Sequence, residues 1–212
     1  MTDVVNDHQE EDSKRNDLLR QIQKSFKVTE QCLRSWTNGL KDSDDVIANI
    51  KNLSEQYVCV RAVQPSDPVL VRMPDLRTCL LTKIAQNIDA KMACLYEKLS
   101  LLQKTCERMS KQCEYVSACH LRADLNIDMM TSSTVLCPSP AELMERLVDI
   151  EKAMWQQFWT KQYLLETFTI TDDDSKTKLF KEWHQGESKM VQNVNDTLKL
   201  VSFLLEFNFS GS

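Results

Sequence analysis

One apolar stripe constrains the fold of this chain more than any other feature of its sequence. Between residues 88 and 116, apolar side chains recur at alternating steps of four and three residues: Ile88, Met92, Leu95, Leu99, Leu102, Cys106, Met109, Cys113 and Val116. This spacing places them on one face of a helix, and so long a stripe is stable in water only when other helices cover it. We therefore expect Leu95, Leu99, Leu102 and Met109 to be buried against neighbouring helices.

The composition favours few turns and long helices. The chain has 212 residues but only three glycines and five prolines, fewer than a strand-rich domain with many turns would need. We predict an all-α fold, an elongated bundle of about four long helices at about 15–59, 74–120, 140–168 and 187–206. The prolines at 65, 68 and 74 mark a connector at 61–73, and those at 138 and 140 close a second connector at 121–138.

The two ends of the chain are predicted to lie outside the bundle. The first seventeen residues hold six acids and two bases, so we expect residues 1–14 to form a disordered acidic tail. Residues 15–206 are predicted to be a single helical domain, and 207–212 a frayed C-terminus. Ser139, Pro140 and Glu142 form a capping-box pattern that predicts the start of the third helix.

Charge and hydropathy restrict the compartment and the class of partner. No apolar run approaches the roughly 18 residues of a membrane span, and the acidic N-terminus resembles neither a signal peptide nor a transit peptide. We therefore expect a protein of the cytoplasm and nucleus whose eight cysteines are thiols. A net charge of −5 argues against a dedicated nucleic-acid-binding domain, although it is compatible with a local basic patch.

The sequence contains few candidates for a catalytic or metal-binding site. Cys106, Cys113, Cys119 and His120 cluster in sequence and could hold zinc, but they lack a Cys-x-x-Cys pair, and the first two lie on the apolar stripe. A cysteine nucleophile would need a histidine base, and neither His120 nor His184 stands in a recognisable motif. We predict no enzymatic activity, no metal and no cofactor.

The third helix carries two apolar stripes about 100° apart. One comprises Leu143, Leu147, Ile150, Met154, Phe158 and Leu165, and the other Met144, Val148, Trp155, Trp159 and Tyr163. The favoured interpretation is a helix buried on two sides, because aromatic residues commonly fill cores. The alternative is that Trp155, Trp159 and Tyr163 form a partner-docking surface, because exposed aromatic clusters mark interfaces.

Two short acidic motifs are candidate phosphorylation sites. Ser43 precedes two aspartates and Thr171 precedes three, a context that suits an acidophilic kinase. The alternative at both positions is a solvated acidic segment.

Several segments resemble the AIRIM family of ribosome maturation factors. They are the residues 52–56 (NLSEQ), the helix start 73–77 (MPDLR), the run 140–145 (PAELME) with 149–151 (DIE) and 163–165 (YLL), and the C-terminal 200–206 (LVSFLLE). Their order and spacing cover roughly residues 22–206. One difference lies in the third helix, which is more basic in the family than residues 154–159 are here, and this weakens any claim that this helix contacts RNA phosphates.

The resemblance implies a non-catalytic adaptor that acts with Afg-type AAA+ ATPase subunits and a CINP-like helical protein. Such complexes release assembly factors from cytoplasmic precursors of the large ribosomal subunit, and they are linked to replisome protein turnover on chromatin. Contact with the pre-ribosomal particle would come through the complex. Two alternatives from other classes are a coiled-coil scaffold or tethering subunit of a cytoskeletal complex and a helical RNA-binding factor.

Overall fold

The computed structural model describes residues 2–134 and 137–207, with side chains from Glu11 onward. These residues form eight helices, and their only extended pairing is an isolated bridge between Thr134 and Cys137. The helices are α1 (Thr2–Ala62), α2 (Pro68–Arg72), α3 (Leu76–Ala123), α4 (Ile127–Thr131), α5 (Pro140–Thr167), α6 (Asp173–Glu182), α7 (Glu187–Leu200) and α8 (Ser202–Glu206). The prediction of an all-α fold is confirmed. Within the described residues, no helix combines the length and the apolarity that crossing a membrane requires.

The bounds of α3 and α5 agree with the predicted helices to within three residues, whereas α1 is longer than predicted. α1 begins at Thr2 rather than near residue 15, and it continues without interruption through Gly39 and the polar run 41–45. The segment 2–14 contains no glycine or proline, so extending an existing helix through it adds one hydrogen bond per residue without a new nucleation step. The segment expected to be a disordered tail is thus helical in its backbone. Residues 208–212 of the predicted frayed terminus lie outside the described residues.

The start of α5 confirms the predicted cap in part. The Ser139 hydroxyl accepts a hydrogen bond from the Glu142 backbone N–H at 3.2 Å, as an N-cap serine should. The Glu142 carboxylate, however, accepts from Arg146 one turn later at 2.7 Å. The reciprocal half of the capping box is therefore replaced by an ion pair at (i, i+4) spacing.

The chain divides into two compact units, and the first contains residues 1–36, 103–157 and 186–212. Its buried core includes Ile22 and Phe26 of α1, Met109 of α3 and Leu143 of α5. The Thr29 hydroxyl lies 3.4 Å from the Met109 sulfur, and the Ser25 hydroxyl lies 3.3 Å from Gln112 Oε1, so α1 and α3 run antiparallel here. The buried Gln23 side chain donates to the carbonyls of Leu204, Leu205 and Phe207, which holds the end of α8 against α1.

The second unit contains residues 37–102 and 158–185. Ile50 of α1, Leu95 of α3, Phe158 of α5 and Leu179 of α6 lie in its core. Trp183, which ends α6, is 1% exposed, and its indole N–H donates to the Ser43 hydroxyl at 2.9 Å. The Trp183 side chain therefore holds the short helix α6 against α1, because its ring is buried and its indole N–H has a hydrogen-bond partner.

The turn between α6 and α7 requires glycine. Gly186 has φ +78°, in the left-handed region, and a Cβ at this position would lie 2.8 Å from Gln157 Nε2. Both the backbone conformation and the space thus exclude a larger residue without a local shift.

The α3 stripe is buried along its whole length. No member from Ile88 to Val116 exposes more than 9% of its surface, and Leu95, Leu99, Leu102 and Met109 expose 6% or less. The predicted burial of these four residues is confirmed.

We predict that Leu99→Ala lowers the free energy of unfolding by about 2–5 kcal/mol, because it removes buried apolar contacts and leaves a cavity. Urea unfolding followed by circular dichroism measures the change. Leu121→Ala is the matched control, because Leu121 lies on the same helix and is 78% exposed. Equal unfolding midpoints for the two variants would contradict the burial of the stripe.

Candidate partner-docking site

The two apolar stripes of α5 have different environments. Every residue of the first stripe is buried, from Leu143 to Leu165. In the second stripe Met144, Val148 and Trp155 are half-buried, while Trp159 and Tyr163 are each 57% exposed. The favoured interpretation, a helix buried on two sides, is therefore wrong at Trp159 and Tyr163.

Trp159 and Tyr163 lie one turn apart on α5, in the second unit, and face solvent together. The Trp159 ring packs edge-on against the buried Phe158 ring, with 5.0 Å between ring centroids and 69° between planes. This contact limits the motion of the indole while leaving more than half of its surface open. We call this pair the Trp159–Tyr163 surface.

A buried lysine supports this surface from behind. Lys161 lies between the two aromatic residues in sequence, but its side chain points inward and is 1% exposed. Its ammonium donates to the Trp183 carbonyl at 2.7 Å and lies 5.6 Å from the centroid of the Trp183 ring. Since this carbonyl ends α6, the lysine satisfies an orphan acceptor at the negative end of the helix dipole.

The rim of the surface is charged. Lys178 of α6 forms an ion pair with Asp174 at 2.7 Å. The hydrogen bond that Lys178 donates to Asp174 and the negative charge of Asp174 raise the pKa of Lys178, and Tyr163 contributes in the same direction. An apolar pair bordered by a polar rim is the usual arrangement at a protein interface.

Trp155 has a different role from the other two predicted docking residues. It belongs to the first unit, and its indole N–H donates to the Ser110 hydroxyl at 2.9 Å. Ser110 in turn donates to Glu151 Oε1. Trp155 is thus held between α3 and α5, and the structure does not group it with Trp159 and Tyr163.

The two candidate phosphorylation sites also differ. Ser43 is completely buried, its hydroxyl donates to the Leu40 carbonyl at 2.6 Å, and it accepts from Trp183. A kinase cannot reach this hydroxyl in the folded chain, which corrects the expectation for Ser43. Thr171 is exposed in the turn before α6, where the Asp172 carboxylate caps the helix by accepting from the N–H groups of Asp174 and Ser175.

Two of the clustered cysteines, Cys106 and Cys113, behave as small apolar residues, whereas the half-buried Cys119 accepts a hydrogen bond from Arg122 at 3.3 Å. Burial, aided by the nearby Cys32, Glu107 and Glu151, raises the pKa of Cys106 to about 12. Burial also raises the pKa of Cys113 to about 12, and its thiol points at the Leu147 carbonyl at 3.5 Å. A thiol held in its neutral form is a poor nucleophile and a poor metal ligand. Among the described residues, no group of three or more potential ligands is arranged to hold a metal ion.

Sequence reasoning missed the contribution of Lys161. Its phase on α5, three residues after Phe158 and four before Leu165, places it on the buried stripe. That phase was a readable signal, but a lysine is rarely buried without a partner. The partner, a carbonyl at the end of α6, is visible only in three dimensions.

Comparison with known proteins places this chain among ribosome biogenesis factors. The CA109-like family, described as "Ribosome biogenesis protein C1orf109-like", matches residues 16–203. The "AFG2-interacting ribosome maturation factor" of Mus musculus is 30% identical over 189 residues, covering 87% of this chain and 87% of the relative. The protein of the same name in Homo sapiens is 30% identical over 189 residues (87% of this chain, 93% of the relative), and that of Danio rerio is 26% identical over 192 residues (89% and 95%).

We predict that the thiols react in two classes. In the folded protein a thiol reagent at neutral pH should modify the exposed Cys59 and Cys79 quickly, whereas Cys32, Cys106 and Cys113, buried and with raised pKa values, should react only after unfolding. Mass spectrometry of peptides labelled with and without denaturant measures the difference. Fast labelling of Cys106 in the folded chain would contradict the buried position.

We also predict that an acidophilic kinase modifies Thr171 and leaves Ser43 unmodified in the folded protein, because only the first hydroxyl is accessible. Phosphopeptide mapping measures both positions, and the Thr171→Ala variant should lose the modification. Phosphate on Ser43 of the folded chain would show that the segment around Ser43 opens far more readily than its buried hydrogen bonds imply.

Proposed function

Because the chain belongs to the CA109-like family of ribosome biogenesis proteins, we propose that it is a non-catalytic adaptor of an AFG2-type AAA+ ATPase in ribosome maturation. The observation that carries this proposal is the similarity to relatives named for their interaction with AFG2, which extends over 87% of this chain. In this role ATP hydrolysis takes place in the partner, and this chain supplies contact surfaces.

We propose that the Trp159–Tyr163 surface is where the ATPase docks. Binding energy at interfaces concentrates in a few large side chains that the partner desolvates, with tryptophan and tyrosine the most frequent among them. Two such residues one turn apart on a helix match the anchors of a helix that lies in an apolar groove. The contact of Trp159 with the buried Phe158 ring restrains the indole before binding, which reduces the conformational entropy lost on docking.

The family resemblance supports finer proposals for the complex. They are that a CINP-like helical protein binds beside this chain, that the complex acts on precursors of the large ribosomal subunit in the cytoplasm, and that it releases assembly factors from them. A nuclear pool acting in replisome protein turnover on chromatin is a further proposal from the same resemblance.

The alternative role of a coiled-coil tether receives less support. A tether would use an apolar heptad seam on its surface to pair with another chain. The seam of α3 is buried within the chain from Ile88 to Val116. The adaptor role needs only the surfaces that remain exposed.

We predict that Trp159→Ala weakens capture of the AFG2-type ATPase by about 2 kcal/mol or more, because it removes a central anchor. The variant should remain folded, losing about 0.5–1.5 kcal/mol of stability from its aromatic pair with Phe158 and some packing of the buried part of the ring. Binding of the purified full chain to the immobilised ATPase, together with urea unfolding, measures both quantities.

Phe203→Ala is the matched control, because Phe203 is 60% exposed on α8 in the other unit. It should bind the ATPase as the unmodified chain does. A folded Trp159→Ala variant that binds normally excludes this surface as the docking site. Failure of the unmodified chain to bind the ATPase under any condition tested would overturn the adaptor role itself.

A further inference from the structure

A row of basic side chains lies along the exposed face of α1 within the first unit. Arg20, Lys24, Lys27 and Arg34 follow one another at helical spacing, with Gln31 filling the remaining position of the row. Lys24, Lys27, Gln31 and Arg34 are exposed, and Arg20 is half-exposed. Between residues 14 and 34, bases outnumber acids by six to two in a chain whose net charge is −5.

A second basic row lies on α3 and is joined to the first. Lys104, Arg108 and Lys111 recur at steps of four and three and are all exposed. The Arg108 guanidinium donates to Gln31 Oε1 at 2.6 Å, so the two rows are in contact at this point. The antiparallel contacts of Ser25 with Gln112 and of Thr29 with Met109 hold the two helices in this register.

The nearby carboxylates leave most of this charge available. Glu30 pairs with Arg34 at 2.5 Å and Asp17 pairs with Arg20 at 3.4 Å, both at the ends of the α1 row. On α3, Glu107 lies three residues after Lys104 and four before Lys111, and Glu114 lies three after Lys111. These two acids neighbour the α3 lysines and lower the net charge of that row.

Unlike Arg20 and Arg34, the four lysines of the two rows form no ion pair with a carboxylate in the described part of the chain. They are Lys24, Lys27, Lys104 and Lys111. Their ammonium groups are therefore available to an external anion.

We propose that these two rows form a binding face for the phosphodiester backbone of RNA. Successive side chains on one helix face are about 5–6 Å apart at their Cβ atoms, and the axes of two packed helices are about 8–10 Å apart. Such a grid of mobile cations suits a polyanion contacted through its phosphates. The net charge of the whole chain, which argued against nucleic-acid binding, does not show this face, because it is a sum over all residues and the excess of bases is local.

The residue types favour a phosphate backbone over an acidic protein partner. Protein interfaces have an apolar core and contain few lysines. No large apolar side chain is exposed between residues 20 and 34 on α1, in the described part of the chain, and on α3 the exposed Leu101 and Tyr115 lie at the two ends of the basic row rather than within it. The choice of RNA over DNA rests on membership of a ribosome biogenesis family. Competition with a DNA duplex, described below, distinguishes RNA from DNA as the ligand.

The test uses the full chain and a short RNA hairpin in a fluorescence anisotropy titration. At about 100 mM salt the Lys24→Gln, Lys27→Gln, Lys104→Gln, Lys111→Gln variant should bind RNA at least about tenfold more weakly. The slope of log K against log salt concentration should become shallower by about one for each lysine that contacts a phosphate. Circular dichroism should be unchanged, because all four positions are exposed.

A second quadruple variant controls for net charge. Lys51→Gln, Lys83→Gln, Lys152→Gln and Lys181→Gln remove the same charge from other exposed positions and should change RNA affinity by less than about twofold. Equal losses in the two variants would overturn the proposed face, and so would the absence of RNA binding by the unmodified chain at about 50 mM salt.

Two competitors test the identity of the ligand. A DNA duplex of the same sequence that binds as tightly as the RNA would overturn the assignment to RNA. Polyglutamate that displaces the RNA at equal charge concentration would point instead to an acidic protein. Both lysine variants should capture the AFG2-type ATPase normally, so failure of the RNA proposal is distinguishable from failure of the adaptor proposal.

Discussion

The buried stripe of α3 is the constraint on which the rest of the structure depends. Nine apolar residues over 29 positions form one continuous face, and each is at least 91% buried. Exposing such a face to water would cost on the order of 1.5–3 kcal/mol for each large side chain, so the remaining helices must cover it. α3 contributes residues 103–123 to the first unit and 76–102 to the second, so the one stripe serves two separate cores.

Polar groups decide how the helices meet once the apolar faces are covered. In the second unit, Ser43 of α1, Trp183 at the end of α6 and Lys161 of α5 form a connected set of hydrogen bonds. A buried ammonium is costly unless it is paired, and the Trp183 carbonyl and ring supply both a hydrogen bond and a cation–π contact. In the first unit, Gln23 uses its amide in the same way to hold the carbonyls that end α8. These contacts select one arrangement among many that would bury a similar apolar area.

The sequence predicted what depends on local periodicity and missed what depends on the neighbours of each face. The α3 stripe, the first stripe of α5 and the Ser139 cap were readable because spacing and capping chemistry are local. The exposure of Trp159 and Tyr163 could not be predicted in this way. Periodicity shows that a helix has a second apolar face, but it does not show whether another helix covers that face. Ser43 is an instructive error, since its acidic context suggested a surface site. Its phase, three residues after Leu40 and four before Ile47, instead placed it on the buried face.

A negative net charge is compatible with the proposed basic face, because electrostatic recognition is local. At physiological ionic strength charges are screened over about 8 Å, so a ligand at the α1 and α3 rows responds to the side chains within roughly that distance. The antiparallel packing of α1 and α3 brings together two basic rows that are about 80 residues apart in sequence, as the Arg108–Gln31 contact illustrates. The six acids among the first seventeen residues lower the net charge of the whole chain. A sum over the sequence therefore cannot find such a face, whereas the phase of each lysine together with the register of the two helices can.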